Sequence, residues 1–125
     1  MITGEVTPGR EAVVALTAVG PSGVSRSIRA VIDTGFTDYL TLPLELVHAL
    51  ELEFNSTVTL ILADERRVEF DEYLGSVDWD GELREIPILA AEGVPLLGMS
   101  SFRGDRLTID NLDGGPVIIS KLQHK

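Results

Sequence analysis

The stretch Ala30-Val31-Ile32-Asp33-Thr34-Gly35 ends an apolar, β-branched run on an acid and follows that acid closely with a glycine. Val31 and Ile32 favour a strand, and glycine accepts a tight turn that a residue with a β-carbon resists. Asp33 is therefore expected at a strand end, partly desolvated by the run before it. On these residues alone two readings stand open. The carboxylate caps an Asx-type turn by accepting backbone N–H bonds, or it is kept for chemistry.

Upstream, residues 11–19 are small, apolar and β-branched, Pro21-Ser22-Gly23 breaks the run, and residues 25–32 alternate polar with apolar. The pattern predicts a hairpin whose second strand delivers Asp33. Downstream, Thr41 and Pro43 precede Leu44-Glu45-Leu46-Val47-His48-Ala49-Leu50, whose spacing predicts a short helix with Pro43 in its first turn. Residues 58–62 and 68–74 are β-rich and flank Ala63-Asp64-Glu65-Arg66-Arg67, which offers no core residue. A long exposed hairpin follows.

Two further turn signals come later. Asp80-Gly81 separates Val77-Asp78-Trp79 from Ile86-Pro87-Ile88-Leu89, and Asp113-Gly114-Gly115 separates Leu107-Thr108-Ile109 from Val117-Ile118-Ile119. Strands at such intervals with only one or two short helices predict a mainly β fold, an antiparallel barrel or sandwich. Val94-Pro95-Leu96-Leu97-Gly98-Met99 echoes the stretch at residues 30–35, an apolar strand against a glycine turn with a possible helix after it.

The 125 residues, 44% hydrophobic and 24% charged, suit a single domain spanning 1–125 with a modest core. A formal net charge of −10 opposes binding to nucleic acid or to an anionic membrane surface. No apolar run reaches the length of a membrane span, and the first residues lack a basic stretch followed by an apolar one, so a soluble, cytoplasmic protein is expected. The absence of cysteine excludes disulfides, thiol nucleophiles and thiolate metal sites.

Competing chemistries find little support. His48 and His124 form no His-x-x-x-His pair, and each reads as a core or surface histidine. Asp78-Trp79-Asp80-Gly81-Glu82 lacks the later ligand spacing of a calcium loop and reads as a hairpin turn. No Gly-x-Ser-x-Gly and no phosphate-cradling glycine loop occurs.

Val31-Ile32-Asp33-Thr34-Gly35, followed about sixty residues later by Pro95-Leu96-Leu97-Gly98, resembles the retropepsin-like aspartic proteases over nearly the whole chain. Asp33-Thr34-Gly35-Phe36 and Leu96-Leu97-Gly98-Met99 look closest to a prokaryotic single-domain branch. The resemblance implies a closed antiparallel β barrel in which the strands ending at Asp33 and Leu97 cross at the centre. It also implies a C2 homodimer that pairs Asp33 with its symmetry mate, because the chain holds one Asp-Thr-Gly. Asp33 would be catalytic on a peptide or protein substrate, supported by Thr34 and Gly35, with no metal or organic cofactor. For Thr34 and Gly35 a plain structural role, β geometry and a turn, weighs equally.

The hairpin at residues 58–74 would then be the flap, placing Ala63, Asp64, Glu65 and the nearby Phe36 as cleft or flap residues. Its tip lacks the glycines of retroviral flaps, and Phe36 stands where those enzymes carry a small residue. Ser100-Ser101 replaces an acidic residue that anchors an arginine in many relatives, leaving Arg103 or Arg106 for other interface contacts. These departures keep a second reading open, a dimeric peptide-binding or assembly module of the same fold that does not cleave.

Overall fold

The computed structural model describes residues 1–123, so His124 lies outside the described residues. Its elements are β1 (Ile2–Val6), β2 (Ala12–Val19), β3 (Ser25–Ile32), β4 (Leu40–Leu42), α1 (Leu44–Ala49), β5 (Glu53–Ile61), β6 (Arg67–Trp79) and β7 (Glu82–Ala90). After these come β8 (Leu96–Leu97), a 3₁₀ turn (Met99–Phe102), β9 (Asp105–Ile109) and β10 (Pro116–Lys121). None of its helices is long and apolar enough to cross a membrane.

The strands pair in the order β5-β6-β7-β4-β8-β3-β2-β1-β10-β9, and β2 pairs with β6 as well. The ladders thus make a circuit through β6, β7, β4, β8, β3 and β2, with β5 on one flank and β1, β10 and β9 on the other. The mainly β expectation holds, but the sheet is mixed rather than antiparallel throughout. β3 pairs parallel with β8, and β4 pairs parallel with β7. Each parallel pair is separated by a long stretch of chain, which supplies the crossover that a tight hairpin cannot.

The alternation in β2 and β3 buries Val14, Leu16 and Ala18 against Ile28 and Ala30, with Val117 and Ile119 of β10 in the same cluster. Side chains on one face of a strand recur every second residue, so this periodicity alone sets which face meets the core. The Asp80-Gly81 turn forms as its sequence predicts, both residues having positive φ, 54° and 90°. Gly81 donates its N–H to Asp78 Oδ1 at 2.8 Å.

Three features depart from the sequence reading. β6 is one strand through Gly75 and Ser76 rather than two, because it pairs first with β5 and then with β7 and β2. Pro43 precedes α1 in extended conformation instead of lying in its first turn, and α1 buries Val47. β1 has no counterpart in that reading. It contains Gly4, where a Cβ would lie 1.8 Å from the Val13 carbonyl oxygen, so close pairing with β2 requires glycine there.

Candidate active site

Asp33 follows the last residue of β3. Parallel pairing aligns Val31 with Leu96 and Ile32 with Leu97, and the Asp33 N–H continues the ladder by donating to Leu97 O at 3.0 Å. The acid is thereby fixed at its backbone by the second of the two echoing segments. Its Oδ1 accepts the Gly35 N–H at 3.0 Å, an Asx-type turn, while no hydrogen bond to Oδ2 occurs among the described residues. The turn and a free carboxylate oxygen therefore coexist. Asp33 is half-buried and Thr34 is exposed.

A web of bonds ties residues 36–39 to residues 98–101. Phe36 donates its N–H to Asp33 O at 3.1 Å, Met99 N–H to Phe36 O at 2.8 Å, and Gly98 N–H to Tyr39 O at 2.9 Å. Ser100 Oγ donates to Thr37 O at 2.6 Å and Ser101 Oγ to Tyr39 O at 2.7 Å. The serine pair therefore clamps the turn that follows Asp33, a role its sequence did not indicate. Gly98 fits because it has no side chain, since a Cβ there would lie 2.1 Å from Asp38 O and 2.7 Å from the Phe36 ring.

Above this clamp stands the hairpin of β5 and β6. β6 pairs with β7 only from Glu72 onward, so residues 57–71 form a two-stranded ribbon hydrogen-bonded to no third strand among the described residues. Such ribbons are marginal alone and move readily. Glu65 takes a positive φ of 67° at the tip, and Asp64 accepts both the backbone N–H and the Nε–H of Arg66. The Arg66 side chain, then its N–H, hold the exposed Asp64 carboxyl below its ordinary 3.8. A lowered folded-state value adds stability above the ordinary one, and this is lost as pH falls through the folded value. Arg66→Ala should speed amide exchange at the tip without moving the global melting temperature, a contrast that hydrogen-exchange mass spectrometry would read.

Between turn and ribbon lies a cleft of about 450 Å³, which brings Asp33, Gly35 and Phe36 together with Ala63. Leu60, Ile61, Leu62 and Phe70 of the hairpin form part of its wall, and Leu89 and Leu96 lie on the body side. Thr34, Asp64 and Glu65 are not among its lining residues. A recess of about 700 Å³ near Trp79 and Arg84 contains neither Asp33 nor any residue of the ribbon. The smaller cleft thus sets a carboxylate among mainly apolar walls.

Sequence reasoning missed three polar residues of this cleft, Thr37, Asp38 and Thr41. Asp38 accepts the Tyr39 N–H, and Thr41, only 6% exposed, accepts the Leu96 N–H at Oγ1 at 2.9 Å. The signal for Thr41 was a lone hydroxyl between two leucines. Thr41→Val keeps its shape and strands that N–H, so it should cost about 1–3 kcal/mol, measured by denaturant titration.

No protein-family profile matches this chain, and no curated protein does. A crystal structure of a retropepsin-like aspartic protease from Rickettsia conorii superposes with a TM-score of 0.58, at 18% identity over 95% of this chain and 88% of that one. At that identity the likeness speaks for architecture. The parallel pairing of β3 and β8, the turn at Asp33 and the ribbon over the cleft thus lie in a mainly β fold similar to that of a retropepsin-like aspartic protease.

Proposed function

We propose that the chain is half of an aspartic endopeptidase, which hydrolyses peptide bonds with a water held between two Asp33 carboxylates across a homodimer axis. The observation that carries this reading is Asp33, anchored to Leu97 and lining a mainly apolar cleft beneath the ribbon of β5 and β6. The shared fold and the order of Asp33-Thr34-Gly35 and Leu96-Leu97-Gly98 support it. The same motifs support the prokaryotic single-domain branch, and the lack of cysteine suits the cytoplasm.

Two carboxylates about 3 Å apart cannot both ionise, so the pair shares one proton and titrates as a unit, a behaviour already established for aspartic proteases as a class. The ionised member takes a proton from water as the water oxygen bonds to the peptide carbon. The protonated member hydrogen-bonds the carbonyl oxygen, and a proton then passes to the leaving nitrogen as the C–N bond breaks. Thr34 and Gly35 shape the turn, and Phe36 and the flap wall the cleft.

The test is product formation from a mixed peptide library between about pH 3 and about pH 7, where a shared proton predicts a bell-shaped profile. No product at any pH would overturn the reading. In that case Phe36 in the cleft and the Gly35 bond to Asp33 favour the second reading, a dimer that binds peptides without turnover.

A further inference from the structure

β5 ends the sheet, and from Thr57 to Ile61 it belongs to the two-stranded ribbon, so no strand among the described residues covers its outer edge. Which backbone groups that edge offers follows from one bond. Leu62 donates its N–H to Arg66 O at 2.8 Å, and hydrogen-bonded positions alternate in an antiparallel pair, so Leu60 and Val58 also turn their N–H groups toward β6. The N–H and C=O groups of Thr57, Thr59 and Ile61 therefore point outward, with no strand to receive them. Sheet edges are ordinarily blunted by charge, proline or brevity. β9, at the other end of the sheet, is five residues long and carries Asp105 and Arg106. Asn55-Ser56-Thr57-Val58-Thr59-Leu60-Ile61-Leu62, in contrast, holds neither a charge nor a proline.

We propose that the outer edge of β5 docks an extended segment of a partner protein, with lysine or arginine at alternate positions, which joins the ribbon as a third strand. Charge selects this occupant. Antiparallel pairing sets Thr57 beside Asp71 and Thr59 beside Glu69 on one face of the ribbon. Both acids are exposed, and neither has an ion pair among the described residues. A strand added outside β5 would lie about 10 Å from β6, and a lysine on that face reaches over the small threonine to the acid behind it. Arg67 stands opposite Ile61, so the basic positions are those facing Thr57 and Thr59. A second copy fits less well, because two β5 edges would meet through neutral threonines and leave the acids of both chains unpaired in a protein of net charge −10. Docking here needs no hydrolysis at Asp33. It ends the isolation of the ribbon, so amide exchange slows along residues 57–71.

Fluorescence anisotropy tests this with two labelled peptides, one alternating lysine with valine and one alternating glutamate with valine. The full chain carries Asp33→Asn throughout, so that the probe stays whole. Thr59→Pro removes an outward N–H and no bond to β6, a change an edge strand tolerates. Glu69→Lys with Asp71→Lys reverses the charge, and decides alone if circular dichroism shows that Thr59→Pro does not fold. The lysine probe is expected to bind, the glutamate probe to bind about tenfold more weakly or worse, and each variant to raise the dissociation constant of the lysine probe about tenfold or more. Bound probe should protect the amides of Thr57, Thr59 and Ile61 from exchange, read by NMR. Equal binding of both probes, unchanged affinity in a folded Thr59→Pro or in the double-lysine variant, or no binding of the lysine probe would overturn the site. Protection of the same three amides that grows with protein concentration alone would give the edge to a second copy, and equally overturn it.

Discussion

Asp33→Asn is expected to lower kcat for peptide cleavage by about 10⁴-fold or more while leaving the fold and the dimer in place. One substitution removes both carboxylates of a symmetric site, so no residual acid and base pair remains. Structural damage would not explain the loss. Asparagine keeps an oxygen to accept the Gly35 N–H, and the Asp33 N–H bond to Leu97 O involves only backbone. Asparagine also serves well in Asx turns, so if Asp33 were only a turn cap, neither stability nor any cleavage activity would change. Stability within about 0.5 kcal/mol of the parent, with turnover gone, separates the two roles.

Gly98→Ala is expected to be the most destabilising single methyl in the molecule's central clamp, at about 3 kcal/mol or more in denaturant titration. The backbone at Gly98, with φ −91° and ψ 169°, is extended and open to any residue, so the cost is steric. The new Cβ would meet Asp38 O at 2.1 Å and Phe36 O at 2.7 Å, backbone atoms held by the bonds of Gly98, Met99 and Ser100 to the same turn. Relief requires shifting the Asp33 turn from β8, so activity should fall with stability. Gly35→Ala is the contrast. Its Cβ would meet only Asp33 Oδ1, at 3.4 Å, which is close to ordinary contact.

Where local rules act alone, the sequence was readable. The hairpin of β2 and β3, the Asp80-Gly81 turn and the 58–74 hairpin follow from alternation and turn residues, and each formed as expected. Long-range pairing was less readable. β4 is three residues long and owes its strand geometry to β7 and β8, partners distant in sequence. β1 holds at its centre a glycine that looks like a weakness until the Val13 backbone packs on it.

The site shows the same division. Asp33 stood out as an acid at the end of an apolar run, yet local rules left it between a turn cap and chemistry, and Phe36 and Ala63 were named only through the resemblance to the retropepsin-like aspartic proteases. Thr41 and the Ser100-Ser101 clamp did not stand out, because a hydroxyl's role depends on which backbone group it meets after folding. Asp64 and Glu65 stand at the tip of the β5–β6 hairpin, where the turn needs polar residues whether or not a ligand is near.

If one active site uses Asp33 from two chains, mixing parent and variant chains reveals it. Parent and Asp33→Asn chains, unfolded together in equal amounts and refolded, assort at random, so about one quarter of the dimers carry two carboxylates. If the pair is the catalyst, activity per total protein falls to about one quarter of the parent's and follows the square of the parent fraction across other ratios. Activity linear in that fraction, near one half for the equal mixture, would show that each chain works alone and would contradict the shared site.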